Sequence, residues 1–166
     1  MRELGRPARL YNVAAGGRPA FECLRLFPEL VASRFEQRAS FNLIVFHAGD
    51  NDLAQGKSAD QTYRAFAQYV ATAHARGWKI IVSTELQRVD FPPSRQAELS
   101  SYNKQLLANT AGADAVVDFT ADPAFADLAR RDDLQLFTKD RIHPSDGGYA
   151  MLARMLVAGT RPILPR

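Results

Sequence analysis

The residues best able to do chemistry sit in two short segments far apart in the chain, Gly49-Asp50-Asn51-Asp52 and Asp140-Arg141-Ile142-His143-Pro144. Asp140 stands three residues before His143, near enough for its carboxylate to accept a hydrogen bond from the ring Nδ1. That leaves Nε2 to take up a proton, which makes His143 a candidate general base with Asp140 as its orienter. Asn51 supplies a neutral amide donor that can be aimed at a developing oxyanion, and loss of one such donor commonly costs about 100- to 1000-fold in rate. Both segments also have a purely structural reading. Asn, Asp and Gly gather in tight loops, where Asn51 would close an Asx turn, and Pro144-Ser145-Asp146 makes a good helix start.

Other polar residues point to less. His47 closes an apolar run and His74 falls on a periodic helix face, neither with neighbours spaced like metal ligands. Asp50, Asp52 and Asp60 fail the spacing of a Ca²⁺ loop and read as solvated turn acids. There is no Walker loop and no GxGxxG after a strand, so neither a metal nor a nucleotide cofactor is expected. The lone cysteine, Cys23, reads as a small buried hydrophobe in a helix.

The elements that must position these residues alternate between strand and helix. Leu10–Ala15 reads as a strand ending at the Gly16-Gly17 turn, and Ala20 to about Gln37 as a helix with a break near Pro28. Phe41–Ala48 is a continuous apolar run, as expected for a strand buried on both faces of a parallel sheet. Ser58 and Gln61 form a capping box for a helix that stops at Gly77, and Trp78–Thr84 is a second buried strand. A helix over Gln96–Thr110, a strand over Asp114–Phe119, a short helix over Ala124–Arg130 and a closing helix over Gly148–Val157 complete the series. Such alternation predicts an α/β fold with helices on both faces of a parallel sheet, and ligands at the carboxyl ends of its strands. Both Gly49–Asp52 and Gly17 follow predicted strands.

Composition narrows the partners. With 166 residues, 46% of them hydrophobic and 23% charged, the chain suits one globular domain over 1–166. Its basic residues are scattered rather than clustered among aromatics, which argues against nucleic acid. No apolar run approaches the roughly 20 residues of a membrane helix. Met1–Pro7 holds no apolar core of a signal peptide, which reads as cytoplasmic; a signal lost with a missing front would make the protein secreted or periplasmic.

Taken together and in order, Gly17, Gly49–Asp52 and Asp140–Pro144 resemble three of the four blocks that define the SGNH (GDSL-type) serine hydrolases. The resemblance covers essentially the whole chain and implies a flavodoxin-like three-layer α/β/α fold. It matches Gly17 to the family's oxyanion glycine, Asn51 to its oxyanion asparagine, and Asp140 and His143 to its acid and base. The implied reaction is Ser-His-Asp acyl transfer from a small-molecule carboxylic ester to water. The chain departs from the family at the front. The first block, a strand ending in GDS with the nucleophilic serine, should precede Asn12, yet Met1–Tyr11 contains no serine. The nucleophile is thus unassigned, the family's first strand is missing, and the domain is expected to be N-terminally incomplete and impaired. Ser83 is the one serine at a site-facing strand end and reads as an ordinary strand residue, while Ser145 reads as a helix cap. The alternatives are a non-catalytic relative that binds an acylated ligand, an oligomer or partner chain that supplies the missing strand, or an unrelated flavodoxin-like binding domain.

Overall fold

A computed structural model describes residues 8–165; the Met1–Pro7 stretch considered above for a signal peptide lies outside them. Three strands, β1 (Leu43–Phe46), β2 (Lys79–Ser83) and β3 (Ala115–Val117), form a parallel sheet in the order β1-β2-β3. The register sets Leu43 opposite Lys79 and Phe46 opposite Val82, then Ile81 opposite Ala115 and Ser83 opposite Val117. Side-chain alternation sends Ile44, Phe46, Ile80 and Val82 to one face of the sheet and Leu43, Ile81 and Val117 to the other. Each face is covered by helices, giving the three-layer α/β/α architecture.

The first layer holds α1 (Ala20–Arg25), α2 (Phe27–Leu30), α3 (Asp50–Ala54), α4 (Ala59–His74) and α5 (Pro93–Ala108). Helix α4 starts where both bonds of the Ser58–Gln61 capping box form, and it buries Phe66, Tyr69, Val70 and Ala73. Helix α5 begins at Pro93, three residues before its apolar periodicity, because a proline's fixed φ suits the first turn. On the other face lie α6 (Pro123–Ala126) and the closing helix α7 (Asp146–Thr160). Ser145 caps α7, and Gly148 lets it cross the 135–136 backbone: a Cβ there would stand 2.1 Å from the Leu136 carbonyl oxygen.

Three sequence expectations change. The short helix expected over Ala124–Arg130 is α6 followed by a 3₁₀ turn at Leu128–Asp132, with Asp127 extended between them. The helix expected over Ala20–Gln37 is three pieces, α1, α2 and a 3₁₀ turn at Ala32–Arg34, since Pro28 can start a helical turn but cannot continue one. Leu10–Ala15 is not a strand. It runs mostly exposed, held by the Asn12 side chain on the Ala14 N–H, by Arg18 on the Val13 carbonyl, by Arg34 over the Tyr11 ring and by Val13 packed against the core. Among the described residues β1 and β3 each pair only with β2, and Leu10–Ala15 is paired with neither open edge of the sheet. The outer edge of β1 is unpaired among the described residues, and Val45, on the face where α7 packs over β2 and β3, is 52% exposed. Among the described residues no helix is long and apolar enough to cross a membrane.

Candidate active site

The loop that precedes α7 is organised by one carboxylate. Asp140 Oδ2 lies 2.6 Å from His143 Nδ1. Its Oδ1 accepts from the Thr138 hydroxyl at 2.6 Å and from the Ile142 and His143 N–H groups at 2.9 and 3.0 Å. Arg141 takes a left-handed φ of 63° so that the chain can turn back on this carboxylate, and the Thr138 N–H closes the loop on the His143 carbonyl at 2.8 Å. The bond from Thr138, followed by those from His143 and Ile142, holds the Asp140 carboxyl well below the usual carboxylate range. Asp140 is therefore a fixed anion that orients the ring, and Nε2 of the exposed His143 has no partner among the described residues. Thr138 is a member of this network that the sequence pattern did not single out.

The Gly49–Asp52 segment forms the start of α3 at the carboxyl end of β1. Gly49 has φ 150°, and a Cβ on it would stand 2.2 Å from Tyr102 Cε1, so only glycine fits this bend. The Tyr102 hydroxyl in turn donates to the Ala48 carbonyl at 2.8 Å. Asn51 does not close an Asx turn; among the described residues its side-chain amide is unengaged, and only its backbone carbonyl is used, by Gln55. Asp52 differs from the expected solvated turn acid. It is 1% exposed, and its Oδ2 accepts from the Ala20 N–H at 2.5 Å, capping α1 across 32 residues of sequence. That bond draws the start of α1, just after Gly17, against the start of α3, which carries Asn51. Gly17 itself sits in an exposed turn with φ 75°, closed by Arg18 N–H on the Ala15 carbonyl.

Around these segments lie groups that sequence reasoning missed. Arg88 Nη1 donates to Asp50 at 2.9 Å, while its Nε and Nη2 grip Asp90 at 3.0 and 2.7 Å. Asp90 is held ionised first by this Arg88 bond, and Asp140 lies near enough to oppose that ionisation. The 87–94 loop and the Asp140 loop are thus electrostatic neighbours. Beneath them His47 Nδ1 meets the Ser83 hydroxyl at 2.8 Å, and its Nε2 lies 3.5 Å from Glu85 Oε2. Glu85 is buried with Oε1 unpartnered, and its backbone is clamped by the Asn103 amide. Burial, then Asp50 and Asp52, push its carboxyl well above the usual range. The His47 pKa is lowered by the packing around its ring, with Asp50 acting against this, although the side chain is 47% exposed and water moderates the shift. Ser83 is 1% exposed, and its hydroxyl is engaged with His47. His74 is taken up by Asp114, 2.9 Å away, and Cys23 by packing in α1 with its thiol pKa raised by burial. None of these contacts could be found from local pattern, because each partner lies 34 or more residues away except Asn103 and Asp90.

His143 offers an oriented imidazole whose Nε2 has no partner among the described residues, and Asn51 offers an unengaged amide donor at the carboxyl end of β1. That set suits proton transfer beside a developing oxyanion. The described residues contain no group of three or more His, Cys, Asp or Glu side chains placed to hold a metal ion.

Comparison with known proteins agrees with the fold. A search of curated protein sequences gives no match. Among solved structures, TesA superposes with a TM-score of 0.73 at 18% identity, covering 98% of this chain and 83% of that one. A GDSL-like lipase from Bacteroides thetaiotaomicron VPI-5482 superposes with a TM-score of 0.69 at 24% identity, covering 89% and 73%. The esterase EstA from Pseudoalteromonas sp. gives 0.65 at 16%, covering 92% and 76%. At such identities these likenesses carry the fold alone. The model of the GDSL-like lipase/acylhydrolase family matches residues 2–151, nearly the whole chain, in keeping with the α/β/α sheet: the chain belongs to the GDSL-like lipase/acylhydrolase family.

Proposed function

We propose that this chain carries the acyl-transfer site of a carboxylic-ester hydrolase, built on a single SGNH-type domain. In this reading a serine hydroxyl attacks the ester carbonyl and its proton passes to His143 Nε2. The same proton then goes to the departing alcohol, and a water molecule, deprotonated in turn by His143, releases the acid. Asp140 holds the ring through Nδ1, and the Gly17 N–H with the Asn51 amide receives the negative oxygen. The observation that carries the reading is the 2.6 Å Asp140–His143 pair with Nε2 left free. The nucleophile belongs on a strand laid parallel along the open edge of β1, which would bring its carboxyl end beside Asn51.

That open edge favours a second reading, in which the strand comes from another polypeptide or a second copy and the chain by itself binds rather than hydrolyses an acylated ligand. A fluorophosphonate probe on the purified chain, with peptide mass spectrometry to place the adduct, separates the two. An adduct abolished by His143→Ala supports hydrolysis, with the labelled residue as nucleophile. Absence of any adduct sinks hydrolysis by this chain alone and leaves the binding reading standing.

A further inference from the structure

Three hydrogen bonds converge on the Arg88 guanidinium. One goes to Asp50, the first residue of α3 and the neighbour of Asn51, at 2.9 Å, and two go to Asp90 in the 87–94 loop, at 3.0 and 2.7 Å. The guanidinium carbon also stands 4.7 Å from the Phe91 ring centroid, and the Arg88 carbonyl accepts from the Phe91 N–H and from Gln96 Nε2. One side chain, only 15% exposed, thereby ties the Asn51 turn to the adjacent loop across 38 residues of sequence.

The charges around it are lopsided. Asp50 and Asp52 come from α3, Asp90 from the segment after β2, and Asp140, paired with His143, from the loop before α7; Glu85, its carboxyl pushed up by burial, lies among them, Arg88 acts on them as a cation, and the His47 ring is an imidazole that feels Asp50. A negative oxygen held by Asn51 would stand next to Asp50. Were Asp50 unpaired, the site would repel the charge it must hold.

We propose that Arg88 is the positioning residue of this site, fixing the turn that carries Asn51 and cancelling the Asp50 and Asp90 charges that would oppose an oxyanion there. This rests on Asn51 as an oxyanion donor, but its test needs no turnover. A lysine cannot replace it fully, because an ammonium keeps the charge and loses the fork that spans two carboxylates.

The test follows the His47 ring signals of the purified chain by NMR titration, assigned with His47→Gln, together with hydrogen exchange at Leu53 and Gln55, whose N–H groups bond the Gly49 and Asn51 carbonyls. Arg88→Met is expected to move the His47 midpoint upward by on the order of one pH unit, since an unpaired anion favours the imidazolium. Exchange at Leu53 and Gln55 should quicken about tenfold or more, the loss expected for one charge-assisted hydrogen bond. Arg88→Lys should keep the midpoint near its original value and still quicken exchange, and Arg88→Met with Asp50→Asn should return the midpoint. Should Arg88→Met fail to fold, Asp50→Asn alone decides, with the midpoint expected to fall. A midpoint that ignores these changes overturns the charge role, and unchanged exchange in both Arg88 variants overturns the positioning role. Failure of fluorophosphonate labelling would sink hydrolysis without altering either readout.

Discussion

Gly49→Ala tests whether the bend before Asn51 is dictated by its surroundings. The added methyl would sit 2.2 Å from Tyr102 Cε1 and 2.9 Å from its hydroxyl oxygen, well inside van der Waals contact, at a φ of 150° that residues with a Cβ rarely adopt. Backbone strain of this kind costs about 1–3 kcal/mol, and overpacking against a ring fixed in the core costs about as much again. If the ring shifts to make room, the 2.8 Å bond from Tyr102 to the Ala48 carbonyl is lost, at about 1 kcal/mol. The variant should therefore lose about 3–5 kcal/mol, a large share of the roughly 5–15 kcal/mol that holds a domain together. In urea, with a slope of about 2 kcal/mol/M, the unfolding midpoint should fall by about 2 M. Combining Gly49→Ala with Tyr102→Leu apportions the loss. If the clash dominates, the double variant is less destabilised than the two single losses together by more than about 1 kcal/mol; if backbone strain dominates, the losses add. A midpoint within about 0.3 M of the parent would refute the reasoning, because the ring would then have moved at no cost.

Glu85→Gln should stabilise the protein near pH 7–8. The folded pKa of Glu85 lies above its unfolded value of about 4.3, so above that pH the folded state must keep a proton the unfolded state releases, and stability falls as pH rises. The gain is about 1.4 kcal/mol for each unit between the two pKa values and should vanish below about pH 4; a gain that persists there would refute it. Asp140→Asn should change global stability by less than about 1 kcal/mol, because the loop is exposed, yet quicken amide exchange at Ile142 and His143. As the folded pKa of Asp140 is depressed, the parent's protection should be present above about pH 4 and fade as pH falls; protection that is flat with pH would contradict the bonding described. Arg131 is 0% exposed, with its three guanidinium nitrogens unpartnered, and burial lowers its pKa to about 10. Its guanidinium carbon stands 4.0 Å from the Phe137 ring centroid. Arg131→Met should be neutral or stabilising in thermal unfolding, and a loss above about 2 kcal/mol would show that the contact over Phe137 outweighs desolvation.

Apolar runs of strand length and a 3.6-residue repeat by themselves determined the three strands of the sheet and the long helices, because both are local properties that burial then enforces. The Asp140–His143 pair is local in the same sense: three residues of chain with a turn between them suffice to bring a carboxylate onto Nδ1. The family resemblance followed from such local blocks. What the tertiary structure decided is whatever depends on a neighbour distant in sequence. Leu10–Ala15 has a strand's composition yet pairs with no strand among the described residues, and a strand is not stable without such pairing. Asp52 has the composition of a turn acid, but the N–H it caps lies in another helix. Arg88 sits in an irregular loop that carries no period, and its importance appears only when folding sets Asp50 and Asp90 on either side of its guanidinium. A sequence encodes such contacts jointly at both ends, and only the folded chain shows which ends meet.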